Sequence, residues 1–441
     1  MGNHKEHWPI ESGHFRDFLS FDHYQAEGKM LSQAALEEQR RALKGQALFE
    51  GEEYPAFSRI GYLGRTVYVD LGNAAWQAVV VTSEGWQVLD HPPARFRRAV
   101  SQEALPMPQP GTGDITLLRK YVNVASDDDF RMLVAWLLGC FHPRGPYPIL
   151  ILNGEQGSAK STTARVLRSL IDPANPMARS TPNSEQDLVI AAKHNHVLAF
   201  DNLSNIKPGM ADAFCRIATG GGFGTRKLHT DAEESLFTAV RPCLLNGIPD
   251  LATRPDLADR AIVVNLPTIP ASERQFEGEF NRALAQDAPR IFSGLLDAVS
   301  AALANLTTVT LTERPRMADF AKWVTAAEPA VGWPQGSFLT AYATNRTTSD
   351  QASVEGNPVA LAILKFIAEE KRWSGTITDL NAALRNRYPH LTDDPNSYPR
   401  QLNRLSGAIR RVQPPLRRMG VSISFDRQGH AGERILRIES A

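Results

Sequence analysis

The sequence predicts an α/β protein built around a parallel sheet with helices on both faces. Through the middle of the chain, apolar strand-like segments alternate with helical ones, a pattern typical of parallel sheets. One of these segments, residues 149–152, leads into a glycine-bearing loop that ends in Lys160-Ser161, and a helical pattern starts there at once. A small α+β domain is predicted before this core and a winged helix after it.

Length and composition limit the number of domains and the classes of partner that the chain can have. A chain of 441 residues is too long for one ordinary core, and we predict domains at 1–113, 114–270, 271–357 and 358–441. The formal net charge is zero, so contact with nucleic acid must come from local patches. The three cysteines lack metal-ligand spacing and no apolar run is long enough to cross a membrane, which favours a reducing cytoplasm and no membrane partner.

The first predicted domain begins with helices over about residues 12–50. Short β-type segments at 59–62, 66–70, 76–82 and 85–89 then predict a small antiparallel sheet. Residues 105–113, rich in proline and glycine, predict a stiff linker. We find no chemistry in this domain, and a collar that helps subunits associate is our hypothesis for it.

The second domain starts with a helix at Ser126, where Asp129 three residues later forms a capping-box pattern. Strands are predicted at 149–152, 197–200, 243–245 and 261–266, and helices at 162–170 and 210–218. Further helices are expected at 272–306, 317–327 and 337–347, followed by a polar linker at 349–357. Helices at 359–370, 377–387 and 399–412 and a hairpin of strands 421–425 and 434–438 have the order of a winged helix-turn-helix.

The loop after the first core strand has the layout of a site for a nucleoside triphosphate. Its residues are Gly154, Glu155, Gln156, Gly157, Ser158, Ala159, Lys160, Ser161 and Thr162. Backbone N–H groups of such a loop hold phosphate oxygens, Lys160 reaches the outer phosphates and Ser161 ligates Mg²⁺. A nucleoside triphosphate and Mg²⁺ are therefore the predicted ligands of this loop. Ala159 stands where the motif has its second glycine, and a structural glycine turn is the alternative.

Three polar residues that follow this loop in the chain each adjoin a predicted strand. Asp201 ends an apolar strand and can hold Mg²⁺ opposite Ser161, although it could instead cap a helix. Asn246 ends the next strand and can orient the attacking water, although Asn before Gly is also a common turn. Arg260 precedes a further strand and could act as an arginine finger in a neighbouring subunit. Arg254 is its rival, and a surface salt bridge is the alternative.

The order of phosphate loop, strand with Asp201, basic hairpin and strand with Asn246 resembles a superfamily 3 helicase. These are compact AAA+-type P-loop ATPases of phages, viruses, plasmids and integrated mobile elements. The specific motifs cover about residues 120–270, and the terminal domains resemble more loosely those of phage and prophage primase-helicase proteins. The resemblance implies a P-loop AAA+-type ATPase core in the cytoplasm of a bacterial host.

The resemblance also implies a homo-oligomeric ring, usually a hexamer, with ATP between subunits and single-stranded or forked DNA as partner. A primase or an origin-binding protein is a further expected partner. The family's DNA-contacting element lies between the acidic strand and the sensor strand. Here that interval offers Phe223 for stacking and Arg226, Lys227 and His229 for phosphate contacts. A solvated glycine-rich loop is the alternative.

Asn202 is a second departure, because such enzymes often carry a second acid there as the base that activates water. Asparagine cannot take a proton. Either Asp201 serves both roles, or another carboxylate such as Glu155 assists, or hydrolysis is slow.

The last predicted domain is basic, with 14 Lys and Arg against 8 Asp and Glu. Arg404, Arg410 and Arg411 lie on its third predicted helix and Arg427 on the hairpin, where they could contact DNA. A winged helix that makes protein contacts is the alternative. The proline pair after Gln413 is expected to end the third helix near Val412.

The sequence thus predicts an ATP-dependent DNA helicase or translocase that acts in replication of a phage, plasmid or integrated mobile element. One rival is a DNA-binding ATPase switch in replication control or defence that does not unwind DNA. A second is a regulator without enzymatic activity, for which Asn202 and Ala159 are the evidence.

Overall fold

The computed structural model describes residues 4–204, 206–226, 234–237, 239–247, 254–395, 397–428 and 433–440. Within these ranges it has a four-stranded parallel sheet flanked by helices, preceded by an antiparallel sheet and followed by a helical region with a further antiparallel sheet. The predicted α/β class is confirmed. Over the same ranges, no helix combines the length and the apolarity that crossing a bilayer requires.

The chain begins with two helices, α1 (Gly13–Glu27) and α2 (Gln33–Phe49). Ser12 and Ser32 cap them, because each side-chain oxygen accepts a hydrogen bond from a backbone N–H of the first turn. Neither helix buries a residue. Both therefore lie on the surface of the described structure.

Four strands then form an antiparallel sheet in the order β2-β3-β4-β5. They are β2 (Ile60–Leu63), β3 (Thr66–Asp70), β4 (Ala78–Thr82) and β5 (Gly85–Leu89), and a short parallel pair, β1 (Ala56–Phe57) and β6 (Arg95–Phe96), flanks them. Val67, Val69, Val79 and Val81 are buried in the same apolar cluster as the helices of the middle of the chain. One face of this sheet is therefore part of the main core.

The proline-rich segment that follows lies against a helix of the middle region. The Gln109 N–H donates to Ser293 Oγ at 2.7 Å, and the Asp114 N–H donates to the Arg290 carbonyl at 3.0 Å. A Cβ at Gly113 would lie 2.8 Å from the Gly294 Cα, so only glycine allows this close approach. The boundaries at 113, 270 and 357 stay predictions, and the core continues across the first of them.

A 3₁₀ helix (Ile115–Tyr121) and α3 (Asp127–Cys140) lead into the central sheet. Its elements are β7 (Ile149–Asn153), α4 (Lys160–Ser169), α5 (Glu185–His194), β8 (Leu198–Leu203), α6 (Pro208–Thr219), the hairpin β9 (Phe223–Arg226) and β10 (Glu234–Phe237), β11 (Cys243–Gly247), α7 (Pro255–Ala258) and β12 (Ala261–Asn265). The parallel order is β12-β7-β11-β8, while β9 and β10 pair antiparallel outside it. The strand at 261–266 ends one residue earlier than predicted.

Side chains of β7 divide between two apolar clusters. Leu150 and Leu152 join the cluster on one face of the sheet, and Ile149 and Ile151 join the cluster on the other. Successive side chains of a strand point to opposite faces, so a sheet covered on both faces requires a continuous apolar run. This requirement explains why these strands carry almost no polar residue before their last positions.

Three long helices follow: α8 (Glu277–Asn305), α9 (Ala318–Val331) and α10 (Ser337–Glu355). The segment from Ser349 onward, expected to be a polar linker, is helical to Glu355. Its polar residues are buried rather than solvated: Ser349 is 6% exposed, Asp350 5% and Ser353 1%. Local polarity was misleading because Asp350 is paired with Arg418, a residue distant in sequence.

The last region has its own apolar core. It contains α11 (Pro358–Glu370), β13 (Arg372–Gly375), α12 (Ile377–Arg387), α13 (Pro389–Thr392), α14 (Leu402–Arg418), β14 (Val421–Gln428) and β15 (Glu433–Ser440). The strands form an antiparallel sheet in the order β13-β15-β14. The three expected helices and the hairpin are present, and β13 and α13 were not anticipated.

The predicted end of α14 near Val412 is wrong, because the helix continues through Pro414 and Pro415 to Arg418. Its last turn is held from outside: Pro415 and Leu416 are buried. Arg418 donates to both carboxylate oxygens of Asp350 on α10, at 2.5 and 2.6 Å. These contacts offset the backbone hydrogen bonds that the two prolines cannot make.

Candidate functional site

The carboxyl ends of the parallel strands bring the predicted site residues to one edge of the central sheet. β7 runs into Gly154, Asp201 and Asn202 lie near the end of β8, and Asn246 lies near the end of β11. Since β11 lies between β7 and β8, Asn246 stands between the glycine loop and Asp201. Crevices at this edge are where open α/β sheets bind ligands.

The loop between β7 and α4 has a tight backbone. A Cβ at Gly154 would lie 2.6 Å from Ser158 Oγ and 2.7 Å from the Leu266 carbonyl oxygen, so glycine is required there. Gly157 has a φ of 85°. Ala159 also has a positive φ, 62°, a left-handed conformation that costs an L-residue about 1–2 kcal/mol. Ala159 thus replaces the second glycine of the motif at a position where the backbone conformation favours glycine.

Lys160 is the first residue of α4, and its ammonium group bridges the mouth of the loop. Nζ donates to the carbonyl oxygens of Gly154 and Glu155, both at 2.7 Å, and lies 3.4 Å from Ser158 Oγ. Burial lowers the pKa of Lys160, and the negative charge of Asp201 opposes this shift. These bonds fix the ammonium group over the loop.

Ser161 and Asp201 meet across the edge of the sheet. The Ser161 hydroxyl donates to Asp201 Oδ1 at 2.9 Å. A hydroxyl and a carboxylate oxygen this close are the donor types that Mg²⁺ prefers, and two protein oxygens with water and phosphate completing the shell are typical of its sites. The residues present therefore fit the ion predicted from the sequence.

Asn202 and Asn246 are joined by a hydrogen bond. The Asn202 N–H donates to Asn246 Oδ1 at 2.8 Å, and Asn202 has a φ of 58°. Asn246 is 1% exposed, and its Nδ2 has no hydrogen-bond partner among the described residues. A buried amide donor in this state is costly unless a ligand or water satisfies it. Asn246 is therefore oriented through its oxygen, while its nitrogen remains available.

Glu155, the carboxylate considered as an assisting base, is exposed, as are Gln156 and Gly157. Thr162 is half-buried in the first turn of α4. Among the predicted residues, the structure brings Lys160, Ser161 and Asp201 together at this edge, next to the hydrogen-bonded pair Asn202 and Asn246.

Arg260 lies at the opposite edge of the sheet, immediately before β12. Its carbonyl oxygen accepts from the Ile149 N–H at the start of β7, and its guanidinium donates to the Asp256 carbonyl, both at 2.9 Å. The five-residue strand β12 separates Arg260 from the edge that carries the glycine loop, a distance of about 16 Å. The rival Arg254 pairs with Asp212 at 3.1 Å.

The predicted DNA-contacting residues fall in two places. Phe223 and Arg226 are the first and last residues of β9, whereas Lys227 and His229 lie outside the described residues. In the last region, Arg404, Arg410 and Arg411 are exposed on α14. The Arg410 guanidinium carbon lies 3.8 Å from the ring centroid of Phe425. Arg427 lies on β14, where its backbone is opposite that of Arg434 on β15.

Asn123, which sequence reasoning missed, contacts the loop between β7 and α4 from outside. Its Nδ2 donates to the carbonyl oxygens of Ser158 at 3.2 Å and Pro267 at 2.5 Å. A single Asn between two predicted elements carries no motif, so no signal in the sequence identified it.

Comparisons with known proteins give two family matches. The model for the actinomycete integrative conjugative element replication protein matches residues 115–350, and the model for the RepA C-terminal domain of these elements matches residues 359–441. The comparison with curated proteins gives no match.

Solved structures resemble the chain only distantly. An apo A-form structure of the NrS-1 C-terminal region is 11% identical, with 94% of this chain and 92% of that chain covered and a TM-score of 0.36. An apo structure of the same region, residues 305–718, is 10% identical over 88% and 95%, with a TM-score of 0.34. A ligand-bound JCV helicase is 11% identical over 51% and 66%, with a TM-score of 0.23.

Proposed function

We propose an ATP-driven function on DNA for this chain, which belongs to the family of actinomycete integrative conjugative element replication proteins. It is a replication protein of a mobile element, and within that role we propose a helicase or translocase of the superfamily 3, AAA+ type. The observation that carries this proposal is the meeting of Lys160, Ser161 and Asp201 at one sheet edge, with Asn246 between the two strands that bear them.

In this mechanism the loop binds the triphosphate and Lys160 neutralises the charge of its outer phosphates. Ser161 and Asp201 would hold Mg²⁺, which supplies Lewis-acid stabilisation when bound. Asn246, anchored through Oδ1, directs its Nδ2 donor to the attacking water or the terminal phosphate.

Asn202 donates its backbone N–H to Asn246 and cannot accept the proton of that water. Asp201 lies at this edge beside Ser161, so we assign the proton to it. Its engagement with the Ser161 hydroxyl makes slow hydrolysis in the isolated chain the expected behaviour.

We assign Arg260 to the nucleotide of a neighbouring subunit. Its place at the far edge of the sheet prevents it from serving the loop of its own chain. Arginines supplied in this way contribute about 10³–10⁵ in rate. The proposal therefore includes a homo-oligomeric ring, a hexamer, with ATP at each contact between subunits.

Single-stranded or forked DNA is the proposed partner of the β9–β10 hairpin, which lies in the chain between the Asp201 strand and the Asn246 strand. The exposed arginines of α14 and the antiparallel sheet beside them form the proposed winged helix for origin DNA. A primase or an origin-binding protein is a further proposed partner.

ATP turnover in the presence of single-stranded DNA tests the proposal. Lys160→Ala removes the ammonium group over the loop and is expected to reduce turnover to background. Lys29→Ala, at an exposed position between α1 and α2, is the matched control and is expected to keep it. Turnover that persists in Lys160→Ala, or is absent from the unaltered chain, contradicts the assignment.

The second candidate is an ATPase switch that binds DNA without unwinding it. The neutral Asn202 in place of a second acid favours it, because slow hydrolysis suits a switch better than a motor. Displacement of a labelled strand from a forked duplex distinguishes the two. ATPase activity that DNA stimulates without strand displacement supports the switch.

A further inference from the structure

The segment that follows β12, residues 266–277, lies along one side of the phosphate loop; we call it the wall segment. The Leu266 N–H donates to the Asn153 carbonyl at 2.8 Å, and the Ile269 N–H donates to the Gly157 carbonyl at 3.1 Å. These backbone bonds fix the start of the wall segment to the end of β7 and to the middle of the loop.

Side chains fasten its other end. A Cβ built on Gly157 would lie 3.2 Å from a terminal nitrogen of Arg274, so that guanidinium group lies beside the loop. Glu277 Oε1 accepts from Arg165 on α4 at 3.2 Å, and the same guanidinium group lies 3.4 Å from Thr162 Oγ1. The wall segment is thus tied to the loop and to the first turn of α4.

Phe276 lies in this fastened segment, at the position before α8, and is 79% exposed. Single exposed aromatic rings are common on protein surfaces. This one immediately precedes Glu277, which binds the helix whose N-terminus is expected to hold phosphate. Phe276 is therefore the residue next to the anchor of the wall segment on α4, and its ring is open to solvent.

Sheet order gives the direction in which a nucleotide would lie. Asp201 and Asn246 belong to strands on one side of β7, whereas β12 and the wall segment lie on the other side. With the outer phosphates between Lys160 and Asp201, the nucleoside end extends toward the wall segment. Every nucleobase has a face that can stack on an aromatic ring.

We propose that the wall segment is the nucleoside-binding wall of this site and that Phe276 stacks on the base of the bound nucleotide. This inference rests on the proposed function, since it assigns the base-recognising residue of the same site. Stacking alone tolerates different bases, so the ring gives affinity rather than a choice among them.

Titration calorimetry with two ligands tests the proposal: ATP with Mg²⁺, and inorganic tripolyphosphate, which has no base. Phe276→Ala is expected to weaken ATP binding about tenfold and to leave tripolyphosphate binding unchanged. Phe276→Tyr, which keeps an aromatic face, is expected to retain ATP affinity. Phe49→Ala removes another exposed ring, 89% exposed at the end of α2, and is the matched control.

Each outcome separates the inference from the proposed function. If the unaltered chain binds neither ligand, the proposed function fails. If it binds ATP and Phe276→Ala binds ATP equally well, base stacking is overturned while ATP binding stands. If Phe276→Ala weakens ATP and tripolyphosphate binding equally, Phe276 supports the loop rather than the base. If the variant changes only the oligomeric state, measured by mass photometry, Phe276 is a subunit contact. Either result overturns the proposal.

Discussion

Replacing Asp172 with asparagine tests how the N-terminal sheet is joined to the central one. Asp172 Oδ1 accepts from Arg59 Nε at 3.0 Å, and Oδ2 accepts from the backbone N–H groups of His196 and Val197 at 2.8 and 2.9 Å. Burial raises the pKa of Asp172, but the charges of Arg59 and Arg168 outweigh it and hold the pKa below its ordinary value. The carboxylate is therefore ionised at neutral pH.

Burial of the pair sets the size of the effect. The exposed fraction is 0% for Arg59 and 3% for Asp172. Asp172→Asn leaves the guanidinium charge buried without its counter-ion and turns an amide N–H₂ toward a donor. Breaking such a pair from one side costs about 3–5 kcal/mol. Because the folded-state pKa is lowered, this contribution is present above the unfolded-state pKa and is lost as the pH falls through the folded-state value.

Urea unfolding at pH 7.5 measures the effect as a lower midpoint with an unchanged slope. Asp212→Asn is the charge-matched control: it removes an ion pair whose carboxylate is 52% exposed, so a loss under about 1 kcal/mol is expected. A loss of that small size in Asp172→Asn would refute the argument that the buried pair joins the two sheets.

Three further changes are expected to give measurable results. Burial lowers the pKa of His196 to about 4, so the unfolded chain binds an extra proton at this residue, and His196 alone contributes a fall of about 2 kcal/mol in the free energy of unfolding from pH 7.5 to 5; in His196→Gln the urea midpoint should fall less over the same pH range. Ala159→Gly relieves a left-handed backbone and is expected to raise the free energy of unfolding by about 0.5 kcal/mol, and a lower midpoint would contradict that reading. Asn246→Ala removes an oriented donor and is expected to reduce ATP turnover about a hundredfold while ATP affinity measured by calorimetry stays within about threefold; equal losses in both would assign Asn246 to binding.

Local patterns predicted the centre of the molecule well. Strands covered on both faces appear as short apolar runs, and the polar residue that ends each run marks the sheet edge. The positions of Asp201 and Asn246 near strand ends were predicted in this way, and the Ser161–Asp201 contact follows from parallel pairing. Side-chain chemistry and strand period together were sufficient there.

Contacts distant in sequence were beyond such patterns. The polar stretch after Ser349 reads as a linker, yet Asp350 binds Arg418 from a helix 68 residues later. The Asp350–Arg418 pair also stabilises the last turn of α14, which we expected to be absent because of Pro414 and Pro415. Phe276 and Asn123 gave no signal either, because their positions depend on how the segment after β12 folds back over the loop.

Lys160 and Arg260 lie at opposite ends of the parallel strands of the central sheet. Under the proposed function, a lone molecule can hold a triphosphate but lacks the cation that speeds its cleavage. Specific activity should therefore rise with enzyme concentration until every molecule has a neighbour. A mixture of Lys160→Ala and Arg260→Ala chains, each inert alone, should recover activity, because some contacts will pair an intact loop with an intact arginine.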